Sequence, residues 1–276
     1  MTDTKQKVRE FYDEIGWQQE ADGNYQNARY EDLRPVSAEY IQRTRLRVNG
    51  GLNPSGQFLL DAGSGPVQYD DYLTYSKGYQ KRVCLDISIQ SLREARERIG
   101  AHGYFVVGDL ANLPFKAEAF DGEVSMHAIH HLALEEHPRA YAELYRVLRP
   151  GRTAAIVNGW HEPLLSRMAE PLIGLMRRLS GKSAKKKKNW LNEEDPEGTF
   201  VRKMTPEWLK REIGSQMPLE IRPWRSLSTR LLRWFVHPRL GGKTFLRLVF
   251  WLEDVFPRFF GENGQYPLII LKKPAR

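Results

Sequence analysis

Cysteine is almost missing from this chain. Its 276 residues hold one, Cys84, so no intramolecular disulfide can form and the composition fits a reducing compartment. Long apolar runs are missing as well. The longest unbroken stretch of strongly apolar residues is Leu248 to Leu252, far short of the roughly 20 residues that cross a bilayer. The first ten residues, MTDTKQKVRE, are polar and charged, which is unlike a signal peptide. No internal repeat is present and no metal is expected. These absences exclude an intramolecular disulfide scaffold and argue against a spanning helix. The expected location is the cytoplasm.

What is present is a chain able to build a core. Hydrophobic residues make up 41%, and 7 Trp, 12 Tyr and 12 Phe favour a folded protein over a disordered one. The length allows one large α/β domain or a domain with an attached subdomain. Charge is divided unevenly. Residues 1–159 carry 19 Lys and Arg against 22 Asp and Glu, a net −3; residues 160–276 carry 23 against 12, a net +11. The second part therefore suits an anionic partner: a phospholipid surface, an acidic substrate or nucleic acid.

Periodicity gives the elements. Val8, Phe11, Tyr12 and Ile15 predict a helix over 4–15, and 16–35 is an aromatic and polar stretch. A second helix is expected over 37–48. Short apolar strands follow at 58–60, 82–85, 104–107, 122–125 and 153–157. Between them, Ser88 caps a helix to about 98, and another helix over 135–148 stops at Pro150-Gly151. Strands separated by helical segments predict a parallel, doubly wound sheet. Thr205-Pro206 starts a further helix, and LEIRPW and YPLIILKK are two more candidate strands. Two amphipathic insertions, 160–204 and 225–265, interrupt this last part. The first contains Pro171, which is expected to kink its helix, and four consecutive lysines, 185–188.

The chemistry concentrates at strand ends. FLLDAGSGP runs from an apolar strand through Asp61 into Gly63, Ser64 and Gly65; a turn without Cβ atoms lets backbone N–H groups approach a ligand closely. RVCLD closes on Asp86 and YFVVGD on Asp109. Three acids at three strand ends describe a site for a nucleoside ligand. The ordered set LLDAGSGP, VCLDIS, VVGDLANLPF, FDGEVSMHAIHHL and ELYRVLRPG resembles class I S-adenosylmethionine-dependent methyltransferases. It looks most like the group that includes ubiquinone/menaquinone C-methyltransferases and other small-molecule methyltransferases. The likeness is close over 58–158 and only one of layout elsewhere.

The resemblance implies a Rossmann-like, mostly parallel seven-stranded sheet with an antiparallel last strand and helical cap insertions. Its implied parts are a cap or lid over 1–50, a cofactor-binding core over 51–159, a basic insertion over 160–204, a return to the core over 205–224, an aromatic and basic insertion over 225–265, and a last strand over 266–276. The implied cofactor is S-adenosylmethionine. Gly63, Ser64 and Gly65 would lie beside its methionine end and Asp61 near its ammonium. Asp86 would accept from both ribose hydroxyls, Ile87 would pack on the adenine, and Asp109 with Leu110 would meet the adenine amino group. His127 would border the methionine end or the acceptor and is a candidate base; His161 is a second. Tyr12 and Trp17 would touch the acceptor. The family often has a glycine where this chain has Val67, and a dinucleotide fingerprint would want one at Gln68.

The expected acceptor is a hydrophobic or amphiphilic small molecule, such as a quinone, lipid or phenolic compound. The apolar, basic insertions would set the enzyme peripherally on the anionic inner face of a membrane. Two other readings stand beside this one. The +11 part suggests a nucleic-acid methyltransferase, against which no Asn/Asp-Pro-Pro-aromatic motif is found and the basic residues alternate with large aliphatics. The absent third glycine suggests a non-catalytic S-adenosylmethionine-binding scaffold.

Overall fold

The computed structural model of the chain describes residues 3–17, 31–179 and 200–276. The Lys185–Lys188 run and most of the 16–35 stretch lie outside the described residues. One seven-stranded sheet organises the rest, in the order β3-β2-β1-β4-β5-β7-β6. Its strands are β1 (Gly56–Ala62), β2 (Tyr79–Asp86), β3 (Gly103–Val107), β4 (Gly122–Met126), β5 (Thr153–Val157), β6 (Leu219–Arg225) and β7 (Tyr266–Lys272). The first five pair in parallel, and β7 runs antiparallel between β5 and β6.

Side chains alternate across this sheet, so neighbouring residues feed opposite layers. Leu60, Val83 and Leu85 join the core under α5 (His137–Val147) and α7 (Pro206–Glu212). Leu59 and Cys84 join the core under α4 (Ile89–Ile99). Cys84 is buried, which pushes its thiol up to about 12 and makes it a packing residue. The expected caps form: Ser88 accepts from the Ser91 amide, and Thr205 from that of Trp208. Between β1 and β2 the crossover is short, one turn of α3 (Asp70–Leu73) followed by a 3-10 turn over Thr74–Ser76. Arg82 donates to the Tyr72 carbonyl at 2.7 Å, and the Tyr72 and Tyr75 rings stack 5.3 Å apart.

A third core lies beyond the sheet. Helix α2 (Ala38–Leu46) brings Tyr40 and Ile41 against Leu232 of α8 (Thr229–Phe235) and Leu246, Val249 and Phe250 of α9 (Gly242–Val255). A buried carboxylate pins this assembly. Glu253 accepts from Tyr40 at 2.7 Å, Arg47 at 2.6 Å, the Ser226 amide at 2.9 Å and the Ser226 hydroxyl. Helix α10 (Pro257–Asn263) packs on β6, where Gly261 meets the Arg222 backbone too closely for any Cβ. Helix α6 (Leu164–Leu179) carries Pro171 inside it and is tied to α8 by Arg230 and Glu170 at 2.6 Å.

Candidate active site

The strand order reverses between β1 and β4, and the crevice beyond the carboxyl ends of the strands at such a point is where open α/β sheets bind ligands. Here it opens into a cavity of about 430 Å³. Gly63 and Gly65 sit on its floor at φ +74° and +54°. A Cβ on Gly63 would fall 2.3 Å from that of Ala128, and one on Gly65 would fall 2.8 Å from the Trp17 ring. The turn differs from the expectation in one respect. Its amides are already committed: Gly63 and Ser64 donate to the Leu85 carbonyl at 2.7 and 3.1 Å, and Gly65 to Asp86 Oδ2 at 2.9 Å. The turn therefore offers close approach rather than free donors, because it is laced to the end of β2. Val67, two residues on, is fully buried at φ +54°, the left-handed region that disfavours a β-branched residue.

The three strand-end acids have separate fates. Asp61, only 2% exposed, is absent from the cavity wall and pairs with the buried Arg82 guanidinium. An arginine one strand away satisfies it where a ligand ammonium was expected. Asp86 lines the cavity with Ile87. Oδ2 holds Gly65, and Oδ1 accepts from the Ser88 amide at 2.9 Å. A carboxylate has about four lone-pair sites, so both oxygens keep capacity for hydroxyl donors. Asp109 and Leu110 also line the cavity.

Asp109 has a partner that the sequence did not announce. Lys5 of α1 (Asp3–Phe11) reaches it at 2.7 Å and Glu136 at 2.5 Å. The same N-terminal segment brings Asp13 to the Ser88 hydroxyl at 2.6 Å and stacks Tyr12 on Trp17 at 5.2 Å. Tyr12 and Trp17 line the cavity. His131 Nδ1 lies 2.7 Å from the Phe200 carbonyl and must donate to it, so Nε2 accepts from the Tyr12 hydroxyl at 2.8 Å. The N-terminal residues thus touch the cofactor loops after β2 and β3 and the histidine cluster after β4.

His127 lies on the wall at φ +56°. Burial, reinforced by the nearby Arg225, His131 and Lys203 charges, lowers its pKa to about 3. A base so depressed has little driving force to hold a proton near pH 7. Burial also lowers His131 to about 4 and takes His130 well below the usual range. His161, the second candidate base, is not on the cavity wall; its amide donates to the Met204 carbonyl at 2.9 Å. The chain turns away there to pair Trp160 with Met204.

The far wall holds residues that strand-end reasoning passed over: Gly159, Lys203, Arg225 and Tyr266. Arg225 closes β6 as Asp86 closes β2, so the rule that singled out the acids would have found it if applied to a cation. Lys203 and Lys5 carry no signal in the sequence. No residue from 226–265 is on the wall.

Residues 60–156 match the family described as a methyltransferase domain. The chain is similar to the malonyl-(acyl-carrier protein) O-methyltransferase of Salmonella typhimurium, 36% identical over 130 residues, 45% of this chain and 50% of that protein. It is also similar to the demethylmenaquinone methyltransferase of Symbiobacterium thermophilum, 29% identical over 154 residues, 53% of this chain and 57% of that one. The matches thus span only about half the length of these curated relatives. Geranyl diphosphate C-methyltransferase from Streptomyces coelicolor A3(2) shares the fold with a TM-score of 0.56 at 14% identity, covering 99% of this chain and 98% of that one.

Proposed function

Because the chain belongs to the class I S-adenosylmethionine-dependent methyltransferase family, we propose that it transfers a methyl group from that cofactor to a small hydrophobic or amphiphilic acceptor. The observation that carries this reading is one cavity holding Gly63, Gly65, Asp86 and Asp109 at one end and His127, Arg225 and Tyr266 at the other. The cradle suits the donor, since the Gly63–Gly65 turn packs against Ala128 and Trp17 more closely than any Cβ allows and Asp86 keeps lone pairs for a diol. When bound, S-adenosylmethionine supplies a methyl already activated as a sulfonium. What the protein adds is alignment and exclusion of water. Asp86 would hold the ribose, Ile87 and Leu110 would bracket the adenine, and Asp109 would orient its amino group. Tyr12 and Trp17, fixed by His131 and Gly65, would close the mouth.

Calorimetry with S-adenosylmethionine and S-adenosylhomocysteine tests the donor site. Dissociation constants on the order of micromolar are expected. Asp86→Ala removes two charge-assisted hydrogen bonds and should weaken binding by roughly a hundredfold. A folded wild-type protein that binds neither ligand would overturn the reading.

An amphiphilic acceptor is supported by the outer faces of two helices. Leu164, Met168, Leu172 and Leu175 on α6, and Phe245, Leu248, Trp251 and Val255 on α9, are all at least two-fifths exposed. Each set recurs at helical spacing. Among the described residues no helix is long and apolar enough to cross a membrane, so these faces suit peripheral contact with anionic lipid, helped by Arg167, Lys243 and Arg247. Co-sedimentation with anionic and neutral vesicles at low and physiological salt is the check; no pelleting with anionic vesicles at either salt would remove the membrane from the reading.

A further inference from the structure

The far end of the cavity is positively charged and short of counterions. Arg225 is 2% exposed, yet among the described residues its guanidinium hydrogen-bonds only to Glu31, Nη1 at 3.2 Å, and to Tyr266, lies against the Trp224 and Tyr266 rings, and keeps its Nε buried without a partner. An arginine carries five N–H donors, so most of this one's capacity is unused. Glu31 does not neutralise it fully, because the same carboxylate also serves Arg45. Lys203 has no carboxylate within ion-pair distance among the described residues; its stem lies along Gly159, 3.3 Å from where a Cβ there would stand. The Arg225 guanidinium sits 4.8 Å from the centre of the Tyr266 ring, and that ring meets His127 edge-on at 5.3 Å. Gln68 Oε1 and the Tyr69 hydroxyl, also of wall residues, are buried without partners.

Burying a charge without a partner is costly. A protein that leaves a guanidinium and an ammonium under-paired on the wall of a mostly apolar cavity has a place for an anion. We propose that the methyl acceptor carries an oxyanion, a carboxylate or a phosphate, which Arg225 and Lys203 receive while the apolar remainder of the acceptor fills the cavity towards His127. This deepens the methyltransferase reading and rests on it.

The test is calorimetry on the full chain saturated with S-adenosylhomocysteine, using octanoate, octyl phosphate and octanol as probes of matched chain length. At least one anion should bind about tenfold or more tighter than octanol, and which one is preferred separates carboxylate from phosphate. Lys203→Gln, at a partly exposed and unpaired position that should not disturb folding, should cut that preference by about tenfold; Arg225→Gln should abolish it. Equal binding of the three probes would overturn the proposal. So would a Lys203→Gln variant that loses S-adenosylhomocysteine affinity while keeping its anion preference, since that would assign the charge to the donor's own carboxylate. If wild type fails to bind S-adenosylhomocysteine, the methyltransferase reading falls and the acceptor assignment with it, while the probes titrated into the unliganded protein still show whether Arg225 and Lys203 receive an anion.

Discussion

The two ends of the cavity are built from opposite materials. The proposed donor end is made of strand ends and backbone: β1, β2 and β3 lead into two glycines and two carboxylates, tied in part through Gly65–Asp86 and Ser88–Asp86. The acceptor end is made of side chains from distant parts of the chain. Arg225 comes from β6, Tyr266 from β7, Lys203 from the segment before α7, and Glu31 from before α2. They are held by helices that never touch the cavity. The first kind of site depends on local backbone, so it appears as a motif. The second depends on tertiary packing, so it can vary while the first stays fixed. The same donor end can therefore serve different acceptors.

Removing the support of the acceptor end should have the largest effect. Glu253 is completely buried and takes four hydrogen bonds from α2, Arg47 and Ser226. Glu253→Leu leaves Tyr40 and Ser226 without their acceptor and takes from Arg47 its buried carboxylate, leaving it the exposed Asp254; such a loss costs about 3–5 kcal/mol. Urea unfolding should show this fall in stability, while the fraction still folded keeps its donor affinity. Equal damage to donor affinity would mean that the two ends are not separable.

The converse substitution is Gly63→Ala. The added methyl meets Ala128 at 2.3 Å in a residue at φ +74°, and strain of this kind costs about 1–3 kcal/mol before any clash. Donor binding should weaken by roughly a hundredfold, with the octanoate-to-octanol ratio unchanged in whatever protein remains folded.

The pH dependence of stability has two opposed sources. Glu123 of β4 is fully buried with both oxygens unpartnered among the described residues, and burial holds its carboxyl well above the usual range. The native protein keeps a proton that the unfolded chain releases above about pH 4.3. Stability from this group is therefore complete below that pH and declines as pH rises. Glu123→Gln should remove the decline, raising Tm by a few degrees at pH 8 and hardly at pH 5. The histidines around the acceptor end act in the other direction. His127 at about 3 and His131 and His137 at about 4 stay neutral in the fold, while the unfolded chain takes up protons below about pH 6.5. Their contribution is present above that pH and is lost on acidification towards 4. A Tm that is flat between pH 6.5 and 4 would contradict the burial assigned to them.

How much of this was legible in the sequence follows from the same contrast. The strand at 153–157 falls where expected, and the caps at Ser88 and Thr205 form, because apolar runs and capping chemistry are local. The seven-stranded sheet with its antiparallel last strand came from resemblance, not from periodicity. Asp86 and Asp109 reach the cavity because a residue at the end of a parallel strand has only that crevice to enter. Asp61 sits at the same kind of position and does not, because Arg82, 21 residues away, claims it. No local pattern announces such a pairing. Lys5, Lys203 and Glu253 escaped for the same reason: each is ordinary in its own neighbourhood and acts on a residue at least 27 positions away.

The smallest predicted effect concerns the glycine that the family often has and this chain lacks. Val67 is fully buried at φ +54°, so the fold demands a glycine-like backbone there but fills the space with a side chain. Val67→Gly relieves about 1–3 kcal/mol of backbone strain and loses about 1.5–3 kcal/mol of apolar burial. Glycine's extra freedom in the unfolded chain takes about another 0.5–1 kcal/mol. These terms nearly cancel, so urea unfolding should shift by only about 1 kcal/mol. Donor affinity should not change, because Val67 is not on the cavity wall. A loss near 3 kcal/mol would show that the backbone at Val67 is not strained. A clear gain in donor affinity would show that strain at this position reaches the ligand, and that the donor end depends on side-chain packing after all.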